Sequence, residues 1–373
     1  MLKRESKYEL LRIVAMLMIV AFHAYSQLDT YDPYSKPYIL IKWTAGNSWN
    51  KFVAVCLGSW GLTGVGCFFL LSASFLTRRN SFSIKKCILI ILQTVFWSVL
   101  ITILAVLFHT FEGSNDIEPV KYIMKSIILP FVDVNVYWYI IAYLFMYLLS
   151  PFMNQILAVM DMEIYKRFII VLTIIVPVYS TLTNGSSITA SNLALAVYYY
   201  ILYSYLQRTS PEVFIKKYAG SVFVATVVFV TLSHLLVYHY GWQDIFVGKL
   251  CERFSIFQII AAVALFYIFE RISCGYYWFI NIIASGTLGV YLIHENPNLK
   301  FFLWNRIINL DYFYSKRYFA IVYITSVILV FCVGVTLDLA RKYTFEAAFK
   351  KVLKLFDNHF GKIDDFINCR RND

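Results

Sequence analysis

The 373-residue chain is 60% hydrophobic and 15% charged, with a mean hydropathy of +0.65 and a formal net charge of +11. Soluble domains are about 45–50% apolar and about 25% charged, and apolar runs of roughly twenty residues, repeated along the chain, exceed what a soluble core of this size can bury. Water-soluble function classes are excluded, and the basic residues need no nucleic-acid partner, because they gather at the ends of apolar runs where anionic headgroups and topology account for them.

The first apolar run, 9–27, follows Met1-Leu-Lys-Arg in the manner of a signal peptide. It carries Arg12, however, and no small-x-small cleavage site follows near Ala24, so it reads as an uncleaved helix. Nine more runs follow at 54–77, 86–108, 136–154, 167–183, 189–206, 217–239, 252–270, 279–296 and 317–338. Each is long enough to cross the hydrocarbon layer at about 1.5 Å per residue, the shorter ones only just. With the N-terminus inside, 21 of the 33 Lys and Arg fall on inside segments, 10 on outside loops and two, Arg12 and Arg253, within spans. That bias predicts both termini on the cytoplasmic side.

The outside loops are rich in aromatic residues. Residues 28–53 hold Tyr31, Tyr34, Tyr38, Trp43 and Trp49, suited to interfacial anchoring or to stacking on sugars. Past the last run, Phe345, Phe349, Val352, Leu353, Phe356, Phe360, Ile363 and Ile367 recur at helical spacing opposite Lys350, Lys351, Lys354 and Lys362. This predicts a basic amphipathic helix on the inner leaflet. The expected fold is therefore an all-α polytopic membrane bundle of about ten transmembrane helices, residues 1–340, with a cytoplasmic amphipathic tail, 341–373.

The seven cysteines form no C-x-x-C pair and no metal-ligand spacing with a histidine. They read as small hydrophobes, and no metal is expected. The first run is more informative. Ionisable groups inside an apolar span are costly and mark function by default, and Arg12 and His23 share one. Eleven residues turn a helix through about 1100°, leaving the two side chains about 20° apart and about 16 Å apart along the axis. Such a stripe suits a long ligand with an anionic head at one end and a reactive tip at the other. A neutral imidazole within it is a suitable general base. The alternatives are a snorkelling Arg12 and a His23 that only bridges helices.

The stretch Tyr8-Glu-Leu-Leu-Arg12-Ile-Val-Ala…Phe22-His23 resembles the first-helix signature of the membrane-bound acyltransferase-3 family. Gly64-Val-Gly-Cys-Phe-Phe-Leu-Leu-Ser72-Ala-Ser-Phe-Leu is similar to its G-V-x-x-F-F-x-x-S-G-F segment, with Ala73 in place of the usual glycine. Tyr137-Trp138-Tyr139-Ile…Tyr147-Leu-Leu-Ser-Pro151 and Gly286-Thr-Leu-Gly289-Val-Tyr291-Leu-Ile-His294 resemble two later motifs, in the family's order. The resemblance implies transfer of an acyl group, commonly acetyl from acetyl-CoA, to a hydroxyl of a cell-surface polysaccharide or its lipid-linked precursor in a bacterial inner membrane. It makes His23 the catalytic histidine and Arg12 its partner. Arg78, Arg79, Lys85 and Lys86 would meet the CoA phosphates, and Ser72 would donate to the reacting carbonyl. Trp138 and Tyr139 would stack on the acceptor sugar or simply anchor at the interface, and His294 with Glu295 would orient the acceptor or assist proton transfer, a buried pair raising imidazole basicity. Direct transfer with His23 as base and a covalent acyl-histidine relay both fit.

Two other classes compete. A transporter or flippase of lipid-linked sugars suits ten spans and basic inner loops, but the chain shows no inverted repeat or paired broken spans. A membrane glycosyltransferase would use a carboxylate just beyond the first helix, where Asp29 and Asp32 lie.

Overall fold

The computed structural model describes residues 5–28, 48–78, 82–108, 119–133, 136–183, 191–209, 212–240, 250 and 252–368, and among them there is no strand. In chain order the helices are α1 Ser6–Ser26, α2 Ser48–Gly58, α3 Gly61–Leu76, α4 Ile84–Leu107, α5 Pro119–Val132 and α6 Trp138–Val159. Next come α7 Met162–Thr173, α8 Tyr179–Leu182, α9 Asn192–Arg208, α10 Glu212–Tyr240 and α11 Ile256–Glu270. The last are α12 Trp278–Ser285, α13 Thr287–His294, α14 Leu310–Tyr314, α15 Phe319–Thr344, α16 Glu346–Lys354 and α17 Asp357–Ile367.

Seven helical stretches among the described residues are long and apolar enough to cross a membrane, and Ile256–Glu270 and Trp278–His294 are shorter apolar helices. Large apolar side chains remain exposed on their outer faces, among them Leu107, Val159, Ile321 and Leu329. In water an apolar surface of that extent would drive association, whereas in lipid it is solvated. Helix lies within every one of the ten expected runs, but the elements differ in detail. The second run comprises α2 and α3, broken at Ser59–Trp60, and the fifth passes through a π-helical turn, Ile174–Val178, that contains Pro177. Proline lacks the N–H that would continue an α-helical ladder, which accounts for the local widening.

Between the third and fourth runs, where a loop was expected, α5 packs on α4, and the Ser98 hydroxyl donates to the Ser126 carbonyl at 2.8 Å. Its fourteen residues carry Lys121 and Lys125, too short and too charged to register as a span. The last long helix runs on to Thr344, and the tail forms two short helices rather than one. They dock on the start of α4. Asp364 accepts from the Ile84 N–H and Asn368 from the Phe82 N–H, both at 2.7 Å, and Lys85 pairs with Asp357 at 2.8 Å. These acceptors satisfy donors at a helix start that no intrahelical carbonyl reaches. Val352, Leu355, Phe356, Ile363 and Phe366 stay exposed along the tail.

The centre of the bundle is α1, which touches α2, α3, α11, α12, α13 and α15. It runs antiparallel to α3: Gly61 lies against Phe22, and a Cβ on Gly64 would stand 2.5 Å from the Ala15 carbonyl oxygen. Only bare backbone allows that approach, the usual device where lipid offers no hydrophobic drive for helix association. It also runs antiparallel to α15, whose Tyr323 hydroxyl donates to the Ala21 carbonyl at 2.5 Å. Closer to the start of α1, Asp338 of α15 is wholly buried and accepts from Trp97 at 2.9 Å, Gln93 at 3.0 Å and Arg341 at 2.7 Å. Gly289 leaves the space into which Asp338 fits, since a Cβ there would lie 2.2 Å from the Asp338 side chain.

Candidate active site

One cavity of about 680 Å³ runs along α1 and touches both Arg12 and His23. The stripe inferred from their spacing thus faces an interior space, of the size that holds small ligands. Arg12 is fixed by its own helix. Its Nη1 donates to both Glu9 oxygens at 2.9 and 2.8 Å, one turn earlier, and its guanidinium lies over the Phe75 ring at 5.5 Å. Glu9 is almost fully buried, with 3% of its side chain exposed. A carboxylate at i−3 neutralises the cation where lipid-like surroundings make an unpaired charge costly. Arg12 therefore offers directional N–H groups to the cavity more than net charge. Its Nε and Nη2 have no hydrogen-bond acceptor among the described residues.

At the other end of the stripe the His23 Nδ1 lies 2.8 Å from the His294 Nε2, and the His294 Nδ1 lies 2.6 Å from the Val290 carbonyl oxygen. A carbonyl only accepts, so the His294 Nδ1 carries a hydrogen. In a pair of neutral imidazoles the His294 Nε2 is then bare and must accept, and the His23 Nδ1–H donates to it. The proton positions follow from this network. They leave the His23 Nε2 as a lone pair in a ring that lines the cavity, with no partner among the described residues. Glu295 places Oε1 3.4 Å from the His23 Nδ1 and Oε2 3.9 Å from the Lys300 ammonium. The three groups His23, His294 and Glu295 lie within 4.8 Å of one another.

Arg12, His23, Ser72, Trp138, Tyr139 and Glu295 all line this cavity. His294 does not. It is wholly buried with both ring nitrogens engaged, which places it behind His23 and away from the cavity wall, where assistance to proton transfer suits it better than contact with an acceptor. The Ser72 hydroxyl donates to the Phe68 carbonyl at 2.8 Å, one turn back, which competes with donation to a ligand. One face of Trp138 is covered by the Arg253 guanidinium at 4.5 Å, itself held by Asn192 at 2.8 Å.

Of the basic loop, the described residues Arg78, Lys85 and Lys86 do not line the cavity. Arg78 reaches the Tyr203 hydroxyl at 3.4 Å, Lys85 is paired with Asp357, and Lys86 is exposed. Arg79 lies outside the described residues, as do Asp29 and Asp32. The cations that do join Arg12 in the lining are Arg253 and Lys342, the latter in the last turn of α15. Reasoning from sequence placed Lys342 in the tail and passed over Glu9. The Glu9–Arg12 spacing of three was a legible sign of an internal ion pair, whereas nothing local marks Lys342.

Tyr137 sets the start of α6. It is a buried aromatic residue at φ 51°, a left-handed backbone that costs a non-glycine residue about 1–3 kcal/mol. Its hydroxyl donates to the Leu292 carbonyl at 2.7 Å and accepts from Asn296 at 2.9 Å. The turn carrying Trp138 and Tyr139 is thereby tied to the end of α13, where His294 and Glu295 lie.

A family model described as an acyltransferase domain, of the acyltransferase-3 type, matches residues 6–338. No curated protein and no solved structure matches the chain.

Proposed function

The chain belongs to the acyltransferase-3 family and is a membrane acyltransferase, and from that premise we propose that it moves an acyl group, acetyl from acetyl-CoA, to a hydroxyl of a cell-surface polysaccharide or its lipid-linked precursor. The observation that carries the reading is the free Nε2 of His23, held as an acceptor by the His294 contact inside the cavity that also reaches Arg12. The proposed topology has ten crossings in a bacterial inner membrane, both termini cytoplasmic and the Arg12 end of the cavity inside.

In this reading the thioester lies along the cavity with its anionic portion toward Arg12 and Lys342 and its carbonyl near His23. Arg12 donates hydrogen bonds from a fixed guanidinium, which supports orientation. The His23 Nε2 takes the proton of the acceptor hydroxyl as its oxygen attacks the thioester carbonyl. A carbon–oxygen bond forms, the carbon–sulfur bond breaks, and the proton passes from His23 to the leaving thiolate. His294 receives the hydrogen bond of the imidazolium that forms transiently, and the Glu295 carboxylate 3.4 Å away offsets its charge. Trp138 and Tyr139, both in the cavity lining, give the acceptor sugar an aromatic surface.

The test is chemical analysis of the host's surface polysaccharide with the intact protein and with His23→Ala. Loss of one ester-linked substituent over an unchanged sugar backbone is expected. An unchanged ester content in the His23→Ala strain contradicts the proposal.

A further inference from the structure

The cluster behind the reactive nitrogen has a second chemistry. His23, His294 and Glu295 each offer one ligand atom, two imidazole nitrogens and one carboxylate oxygen, that lie within 4.8 Å of one another. A tetrahedral ion bonded to nitrogen at about 2.0–2.1 Å holds its ligand atoms about 3.3 Å apart. The His23–Glu295 separation is already 3.4 Å, and the two nitrogens, at 2.8 Å, need open by only about half an ångström from that spacing. The surroundings are those of a ligand set. The His294 Nδ1–H is anchored on the Val290 carbonyl, which fixes its ring and presents Nε2 outward, and the second Glu295 oxygen faces Lys300. His23 and Glu295 line the cavity, so a fourth position opens onto it.

We propose that this cluster is a binding site for a borderline divalent transition-metal ion, Zn²⁺ above all, and that the ion switches the enzyme off. Two imidazoles and a carboxylate suit Zn²⁺ and are poor ligands for Mg²⁺ or Ca²⁺, which take mostly oxygen. Binding replaces the proton shared between the rings. His23 must give the metal its Nδ1 lone pair, so its single hydrogen moves to Nε2, with no net change in protonation. The nitrogen that would accept the hydroxyl proton is then an N–H. The inhibitory half of the proposal rests on His23 acting as the base; the metal site does not.

The experiment titrates Co²⁺ into the untagged full-length protein in detergent, following the visible absorption of the metal, and then adds Zn²⁺. One equivalent per chain is expected, with the intensity of a tetrahedral site, no thiolate-to-metal charge transfer from the cysteines, and full displacement by Zn²⁺. His294→Ala is expected to lower affinity by more than the about 10–100-fold that follows loss of an outer partner. The isosteric Glu295→Gln, which keeps the cluster's shape, is expected to weaken binding and to remove any rise in melting temperature with Zn²⁺. Binding that is absent, carries a thiolate signature, or is equal in wild type and both variants overturns the site. Stoichiometric Zn²⁺ with unimpaired acyl transfer overturns the inhibition alone. Stoichiometric Zn²⁺ binding to a protein that moves no acyl group even when stripped of metal leaves the site standing and removes the proposed function.

Discussion

His294 touches no ligand space, yet replacing it with alanine should slow acyl transfer. The wild-type ring accepts the His23 Nδ1–H at 2.8 Å and in doing so holds His23 in the tautomer whose Nε2 is a base. Alanine leaves that N–H with only the longer Glu295 contact at 3.4 Å in a buried setting, at a cost of up to about 1–3 kcal/mol. His23 then escapes into the other tautomer, which is inert. If the whole cost falls on the reactive state, kcat drops about 5- to 150-fold, less than the about 10²–10⁴-fold expected for His23→Ala itself. The KM for acetyl-CoA should not move, because His294 is absent from the cavity wall. His294→Gln, whose side-chain oxygen accepts the same hydrogen, should recover part of the rate. Initial rates of labelled acetyl transfer from acetyl-CoA into the polysaccharide fraction of membrane vesicles measure both constants. A wild-type kcat in His294→Ala, or a raised KM with unchanged kcat, would refute the tautomer argument.

Gly64→Ala puts a methyl carbon 2.5 Å from the Ala15 carbonyl oxygen, where both parties are backbone, so α1 and α3 must part and melting temperature and activity should fall together. Gly220→Ala, which meets open space in α10, should be neutral or stabilising by about 1 kcal/mol in the same thermal assay. Asp338→Asn leaves the Arg341 guanidinium, 5% exposed, with only the more distant Glu346 carboxylate at 4.0 Å, and a loss of up to about 3–5 kcal/mol is expected in detergent unfolding. Arg12→Lys keeps the charge and loses the planar donor set, so the acetyl-CoA KM should rise while Arg78→Ala, away from the cavity, leaves it unchanged.

What the sequence revealed and what it hid follow from the range of the interactions involved. The helical runs are legible because a membrane span must satisfy its backbone within itself and clothe itself in apolar side chains, both properties of consecutive residues. The Arg12–His23 stripe was legible for the same reason: the helix repeat alone places two residues eleven apart on one face. Element limits were less so. The docking of Asp364 and Asn368 on α4 is set by contacts between segments remote in sequence.

The two ion pairs at the Arg12 end of the bundle divide from the histidine pair on this same line. Glu9–Arg12 and Asp338–Arg341 are both i,i+3, so each helix carries its own neutralising carboxylate into the apolar layer and the pairing can be read along one strand of text. The His23–His294 contact joins residues 271 apart. Taken singly, His294 beside Glu295 suited acceptor orientation and assistance to proton transfer equally. Burial favours the second. An imidazole with one nitrogen on a carbonyl of its own helix has a single lone pair left, and in this bundle the group that reaches it is His23. A lone histidine in an apolar helix would have an undetermined tautomer. Paired in this way it has one, and the general-base reading rests on that difference.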